Sequence, residues 1–230
     1  MRTHSARLAI AAMMVLGAQT VQAQSSPADP CAGSAGGACT TAALAQPIEL
    51  ARPTPLRTSA YIAQIGDANT ASITQNSTRQ FARIGQDGDD NSAMVKQTGP
   101  GTAFLEIDQA GLLNTFVSNQ SAQDGGGNIA VVAQQGESNI ILLDQTASAG
   151  SVNTAMLAQQ GSGNQIQLGQ NGSDNRAELV QQGDNNAMTA TQNGSANQLR
   201  WVQNGNGLSD LQIVQSGNQA MSITQSNGGT

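Results

Sequence analysis

Histidine is almost missing from this chain: the single copy is His4, near the start. Lysine occurs once, as Lys96, and aromatic residues make up 2% of the 230 positions. Charged residues account for 10%, with a net charge of −6. Each shortage removes a class of function. Without a histidine beyond His4 there is no Ser-His-Asp relay and no histidine-held metal. So few basic residues in an acidic chain leave no footprint for nucleic acid. Scarce aromatics exclude a core of large rings, and so low a charge is unlike a disordered polyelectrolyte. The carboxylates are scattered and form no acid–base set, so neither an enzymatic role nor a cofactor is expected.

Long hydrophobic runs are also scarce. The one present, LAIAAMMVLG from Leu8 to Gly17, is too short to span a bilayer as a helix. Arg2 and Arg7 precede it and VQA stands before Gln24, so residues 1–23 read as a secretory signal peptide. Its removal takes away His4 and both arginines, leaving a net charge of −6 − 2 = −8. Residues 24–57 are rich in Ala, Pro, Ser, Thr and Gly without a sustained period, the composition of a flexible leader or linker. Cys31 and Cys39 lie within it. In an oxidising compartment they suit a local disulfide, with free or intermolecular thiols as the alternative; a lone pair at this spacing is a poor metal signal.

What is abundant is repetition. From residue 58 to residue 225, Gln recurs at Gln64, Gln75, Gln86, Gln97, Gln109, Gln120, Gln134, Gln145, Gln159, Gln170, Gln181, Gln192, Gln203, Gln215 and Gln225, mostly 11 apart. Six residues before most of them stands Asn: Asn69, Asn91, Asn114, Asn128, Asn139, Asn153, Asn164, Asn175, Asn186 and Asn197. Small or aliphatic residues fill alternate positions between, as in NTASITQ, and Gly commonly follows the Gln by two. Side chains of a strand alternate between faces, so N-x-A-x-I-x-Q sends Asn, Ala, Ile and Gln to one side. Arg83, Lys96, Glu106, Asp108, Asp144, Arg176, Glu178, Arg200 and Asp210 all fall on the other parity, and no charge falls inward. A helical period would not sort charges this way, and frequent Gly and Asn disfavour it.

Two strands and two connections complete a unit. IGDAN, DGDDN, AGLLN, QGESN, QGSGN and QGDNN are compact turns, whereas the alternate connections vary in length. The expected fold is all-β: a flat, two-sheet parallel β-solenoid of about 22 residues per rung and seven and a half rungs, with residues 226–230 as a tail. Its inward Asn and Gln would stack as amide ladders along the axis. Phe116 and Trp201 have inward parity and are expected in the core. Asp67, Asp87, Asp89, Asp90, Asp174 and Asp184 in the turns read as gatekeepers against premature assembly. Ile129, Val131, Ile140 and Leu142 point outward and suggest a lateral contact.

The unit N-x-A-x-I/V-x-Q-x-G-x-x-N resembles the curlin repeat of bacterial curli fibre subunits, over roughly Thr58 to Gln225. The resemblance implies a secreted chain that polymerises outside the cell into functional amyloid supporting adhesion and biofilm. It implies itself as partner, a paired major or minor curlin subunit, an outer-membrane export pore and a periplasmic chaperone. It also implies an export-directing segment after the signal peptide; here that segment carries Cys31, Cys39 and prolines in place of a Gly- and Asn-rich stretch. The competing class is a monomeric secreted β-solenoid that binds through a flat face, as an adhesin or ice-binding module does. Thr189 and Thr191 hint at such an array, but outward positions elsewhere are irregular.

Overall fold

The computed structural model describes Pro55 and residues 57–227. The expected signal peptide, residues 24–54 and 56 of the leader with Cys31 and Cys39, and residues 228–230 lie outside the described residues. Within them the chain forms fifteen strands and no helix. In chain order, β1 (Ser59–Ile65) and β2 (Thr70–Gln75) make the first rung, and β3 (Gln80–Asp87) and β4 (Ser92–Thr98) the second. The third is β5 (Thr102–Leu112) with β6 (Thr115–Ala122), and the fourth β7 (Gly127–Glu137) with β8 (Ile140–Ala147). The fifth is β9 (Val152–Ser162) with β10 (Gln165–Ser173), and the sixth β11 (Arg176–Gln182) with β12 (Ala187–Ser195). β13 (Gln198–Asn204) and β14 (Ile213–Ser216) form the seventh, and β15 (Ala220–Ser226) adds a half rung.

Odd-numbered strands stack into an eight-stranded sheet and even-numbered strands into a seven-stranded one. Every pairing is parallel and joins equivalent residues of successive rungs, such as Gln134 with Gln159 and Gln145 with Gln170. The expected β-solenoid is therefore the fold, with one refinement. Successive Gln positions in the odd sheet are 22 to 25 residues apart, and the widest steps, Gln109 to Gln134 to Gln159, place their extra residues in the connections before Asn128 and Asn153.

The connections hold the stack because their backbones also pair between rungs: Leu113 N donates to Asp89 O at 3.1 Å and Ser138 N to Leu112 O at 2.9 Å. That pairing leaves no room at the turn glycines. Gly111 has φ 112° and Gly136 φ 119°, and a Cβ on either would run into the carbonyl of the glycine one rung on. Just before the inward Asn, the chain turns left-handed even where the residue is not glycine, as at Leu113 (φ 57°) and Ser138 (φ 57°).

Between the sheets lies one apolar cluster drawn from both, including Ile84, Leu105, Ile141, Leu157, Leu168 and Leu179. Phe116 and Trp201 are fully buried within it, as their parity predicts. Among the described residues, none that is buried is charged. At the two ends the same inward positions are uncovered: Ile62 is 42% exposed and Met221 38%.

Candidate functional site

Each strand ends by placing a Gln side chain inward, and parallel pairing in register sets these amides one above another. In the odd sheet Gln64, Gln86, Gln109, Gln134, Gln159, Gln181, Gln203 and Gln225 form one column, each Nε2 donating to the next Oε1 at 2.7–3.0 Å. In the even sheet Gln75, Gln97, Gln120, Gln145, Gln170, Gln192 and Gln215 do the same at 2.7–2.8 Å. The second N–H of most of these amides is taken by a backbone carbonyl of the opposite strand, as when Gln134 Nε2 donates to Thr115 O at 3.1 Å. Odd-sheet amides so reach across the core to the even strand of the rung before, and even-sheet amides to the odd strand of their own rung, as Gln145 Nε2 does to Ile129 O at 3.3 Å. From Gln86 to Gln215 the members are at most 2% exposed, so water does not compete for these bonds.

Asparagine forms a second set of columns, running the other way. Asn91 Nδ2 donates back to Asn69 Oδ1 at 3.2 Å, and Asn114, Asn139, Asn164 and Asn186 continue at 3.0–3.1 Å. The same oxygens accept the backbone N–H of the next Asn, as Asn69 does from Asn91 at 3.0 Å. Glutamine donors thus point towards the C-terminal end of the stack and asparagine donors towards the N-terminal end. On the other edge Asn175 donates to Asn153 at 3.3 Å and Asn197 to Asn175 at 2.9 Å.

This last column starts at Asn153 and does not reach back to Asn128. Eight residues separate Gln120 from Asn128 and Gln145 from Asn153, against five from Gln170 to Asn175. In the longer connections the amide turns to a carbonyl of its own arc: Asn128 Nδ2 donates to Ser121 O at 2.8 Å and Asn153 Nδ2 to Thr146 O at 2.9 Å. Asn128 Oδ1 is left buried without a donor. Sequence reasoning missed two members at the column's ends. Gln80, fully buried, and Gln219 stand at the Asn position; Oε1 of each accepts a nearby backbone N–H, and Gln80 Nε2 also reaches Gly99 O one rung on at 3.4 Å. Their place six residues before Gln86 and Gln225 is the signal that could have found them.

The turn carboxylates also do something parity does not reveal. Asp89 Oδ1 accepts Asp67 N at 2.7 Å, Asp184 accepts Ser162 N at 2.8 Å, and Asp174 accepts Val152 N at 3.1 Å, each from the rung before. Asn206 takes the same role for Asp184 N at 2.8 Å. These side chains cap the stack at its edges as well as charging it. At the C-terminal end Trp201 Nε1 donates to Gln225 Oε1 at 2.8 Å, the same oxygen that Gln203 reaches.

The four residues expected to form a lateral contact do not share a surface. Ile129 and Val131 lie on β7 in the odd sheet, Ile140 and Leu142 on β8 in the even sheet. Ile129 faces outward yet is only 4% exposed, because its in-register neighbours Phe104 and Thr154 flank it along the stack. Phe104 in turn stacks on Phe81, with ring centroids 5.0 Å apart. The open outward apolar strip is on the even sheet: Met94, Val117 and Leu142 fall in one column, beside Ile140 at 39% exposure. On the odd face Arg83 pairs with Glu106 at 3.0 Å and Asp108 at 2.9 Å.

Chemically, this arrangement offers hydrogen-bonding capacity at its ends. No described residue donates to Oε1 of Gln64 or Gln75, and β1, β2, β14 and β15 each have one unpaired edge. A family model for the curlin associated repeat matches residues 66–99 and 150–183, so the chain carries curlin-type repeats. No curated protein and no solved structure matches the chain.

Proposed function

We propose that this chain, built on curlin-type repeats, is a structural subunit of an extracellular curli-type amyloid fibre. It grows rung on rung: the end of one folded copy templates the first rung of the next. The observation that carries this reading is the pair of glutamine ladders running unbroken from β1 and β2 to β15 and β14, with acceptors at one end that no described residue fills. An edge strand is ordinarily a hazard that proteins cover; here no described strand pairs with the outer edges of β1, β2, β14 and β15, and inward residues such as Ile62 and Met221 are exposed beside them. In a solenoid each rung is stabilised mainly by its neighbours, so the first rung to form in an isolated chain is the least favourable. A fibre end removes that obstacle. Adhesion and biofilm support, a paired major or minor curlin subunit, passage through an outer-membrane pore with a periplasmic chaperone, and cleavage of residues 1–23 complete the proposal on the strength of the repeat.

The test is to dilute the chain from Gln24 onward out of denaturant and follow dye binding with and without sonicated fibres. Conversion after a lag, with the lag abolished by fibre ends, is expected. A monomer that folds cooperatively and stays soluble at all concentrations excludes the fibre reading in favour of the monomeric binding module.

A further inference from the structure

The two sheets differ in height at each end of the stack. Each strand stands a step beyond the one before it across the core, as Gln134 of β7 reaches back to Thr115 O of β6 and Gln145 of β8 to Ile129 O of β7, so at the N-terminal end β2 stands a step beyond β1. At the C-terminal end the odd sheet runs one strand further than the even sheet, with β15 overhanging β14. We propose that successive copies join with a half-turn about the stack axis, so that β1 of the incoming copy pairs with β14 and its β2 pairs with β15. This deepens, and rests on, the fibre reading above.

The solenoid path makes the half-turn possible. Chain direction reverses between the two sheets, because each rung goes out along one and back along the other. Rotation by half a turn about the axis therefore lays the odd sheet's direction onto the even sheet's, and the new pairings are parallel like all the others. In register with the glutamine columns, Ile62 falls on Ile213 and Gln64 on Gln215, while Ala71, Ile73 and Gln75 fall on Met221, Ile223 and Gln225. Apolar meets apolar at each inward level. Both ladders also close: among the described residues Gln215 and Gln225 donate only to backbone carbonyls, and the acceptors they face are those on Gln64 and Gln75 that no described residue fills. The chain leaving β15 already heads the right way. Asn206 N donates to Asn227 Oδ1 at 3.0 Å, and Asn227 Nδ2 donates back to Asn206 O at 2.6 Å, so the next arc towards the even sheet has begun to stack.

Stacking without rotation does less. β15 would meet β1, but β14 and β2 would face each other across about 9.6 Å, twice the strand spacing. Gln215 would have no acceptor, Gln75 no donor, and the side chains of Ile213 and Ile73 would line a notch open to water. With the half-turn, the odd and even faces alternate along each side of the fibre. Its true repeat becomes two copies, or about 72 Å at ~4.8 Å per rung.

Pairs of introduced cysteines distinguish the two junctions. In a Cys31→Ser, Cys39→Ser background, Ala63→Cys is combined with Val214→Cys in one chain and with Thr224→Cys in another. All three positions lie on outer faces next to the end glutamines, and neighbouring in-register strands, about 4.8 Å apart, are within disulfide reach. Within one copy Ala63 and Val214 are six rungs apart, roughly 29 Å, so every link formed is between copies. After assembly and mild oxidation, the half-turn predicts a denaturant-resistant, reducible ladder of multimers from Ala63→Cys with Val214→Cys and none from Ala63→Cys with Thr224→Cys. The reverse result overturns the half-turn while leaving rung-on-rung growth standing, and fibres that give neither ladder overturn it as well. Should a cysteine pair block assembly, the axial repeat of cysteine-free fibres by electron cryomicroscopy decides: about 72 Å supports the proposal, and about 38 Å, eight levels, refutes it. Absence of any fibre from the cysteine-free chain removes both the proposal and the reading beneath it.

Discussion

Replacing Gln134 with Leu tests whether the amide columns hold the stack or merely decorate it. Four bonds meet at this side chain: Nε2 donates to Gln159 Oε1 at 3.0 Å and to the carbonyls of Thr115 and Asn139 at 3.1 Å each, and Oε1 accepts from Gln109 at 2.8 Å. Their loss is uneven. Gln109 keeps its bonds to Ser92 O and Asn114 O, and Asn139 O still accepts from Thr115 N. Gln159 Oε1, in a side chain only 2% exposed, loses its sole donor. An orphaned buried acceptor costs about 1–3 kcal/mol and each net bond about 1 kcal/mol, so with some return from the apolar Leu the sum is roughly 2–4 kcal/mol. Because the reference state is the free chain, the concentration left in solution at equilibrium with fibres should rise roughly 30- to 700-fold, at tenfold per ~1.4 kcal/mol. The control is Gln160→Leu, one residue along the next strand but exposed and without side-chain bonds. It should shift that concentration about twofold at most, since surface substitutions stay within ~0.5 kcal/mol. Sedimenting fibres and measuring the supernatant gives the number. If Gln134→Leu changes it no more than Gln160→Leu does, the ladders are not what stabilises the stack.

Further outcomes follow from other parts of the structure. Leu113 is 50% exposed in a left-handed turn, a conformation that costs a side chain about 1–2 kcal/mol. Leu113→Gly should therefore lower the soluble concentration a few-fold, the gain being trimmed by glycine's larger unfolded entropy. Gly136→Ala should raise it by tenfold or more, because the added methyl meets the Gly161 carbonyl; a neutral result would show that the turns can spread. Trp201 emission should move to shorter wavelength on assembly and become shielded from acrylamide, as befits a fully buried ring, while Gln225→Ala, which removes the acceptor for its N–H, should restore part of the quenching. On the even sheet, replacing Met94, Val117, Ile140 and Leu142 with Ser should thin fibre bundles in micrographs and leave seeded elongation unchanged; equal loss of both excludes a lateral contact there.

The sheets and their register were legible because one residue type, Gln, marks strand ends at a nearly constant interval. The parity of residues such as Arg83, Lys96 and Glu178 then separated outside from inside. Geometry between rungs was less visible. Nothing in one repeat tells that glutamine amides donate one way along the axis and asparagine amides the other, since this depends on the turn each side chain leaves. The break at Asn128 comes from three extra residues in its connection, which read as a harmless variation in length. Ile129 looks exposed in a single strand and is covered only by what the register sets beside it. Asp89 and Asp184 look like surface charge until the backbone N–H of the preceding rung is placed against them. The overhang of β15 follows from counting strands, but its bearing on how copies meet depends on the two sheets running in opposite directions.

The central claim is that rungs stack along the axis of a fibre, and diffraction from aligned fibres tests it directly. A sharp meridional reflection at about 4.8 Å with an equatorial one near 10 Å is predicted, from rung spacing and sheet separation respectively. Fibres whose ~4.8 Å reflection lies on the equator, with strands running along the axis, would contradict the account.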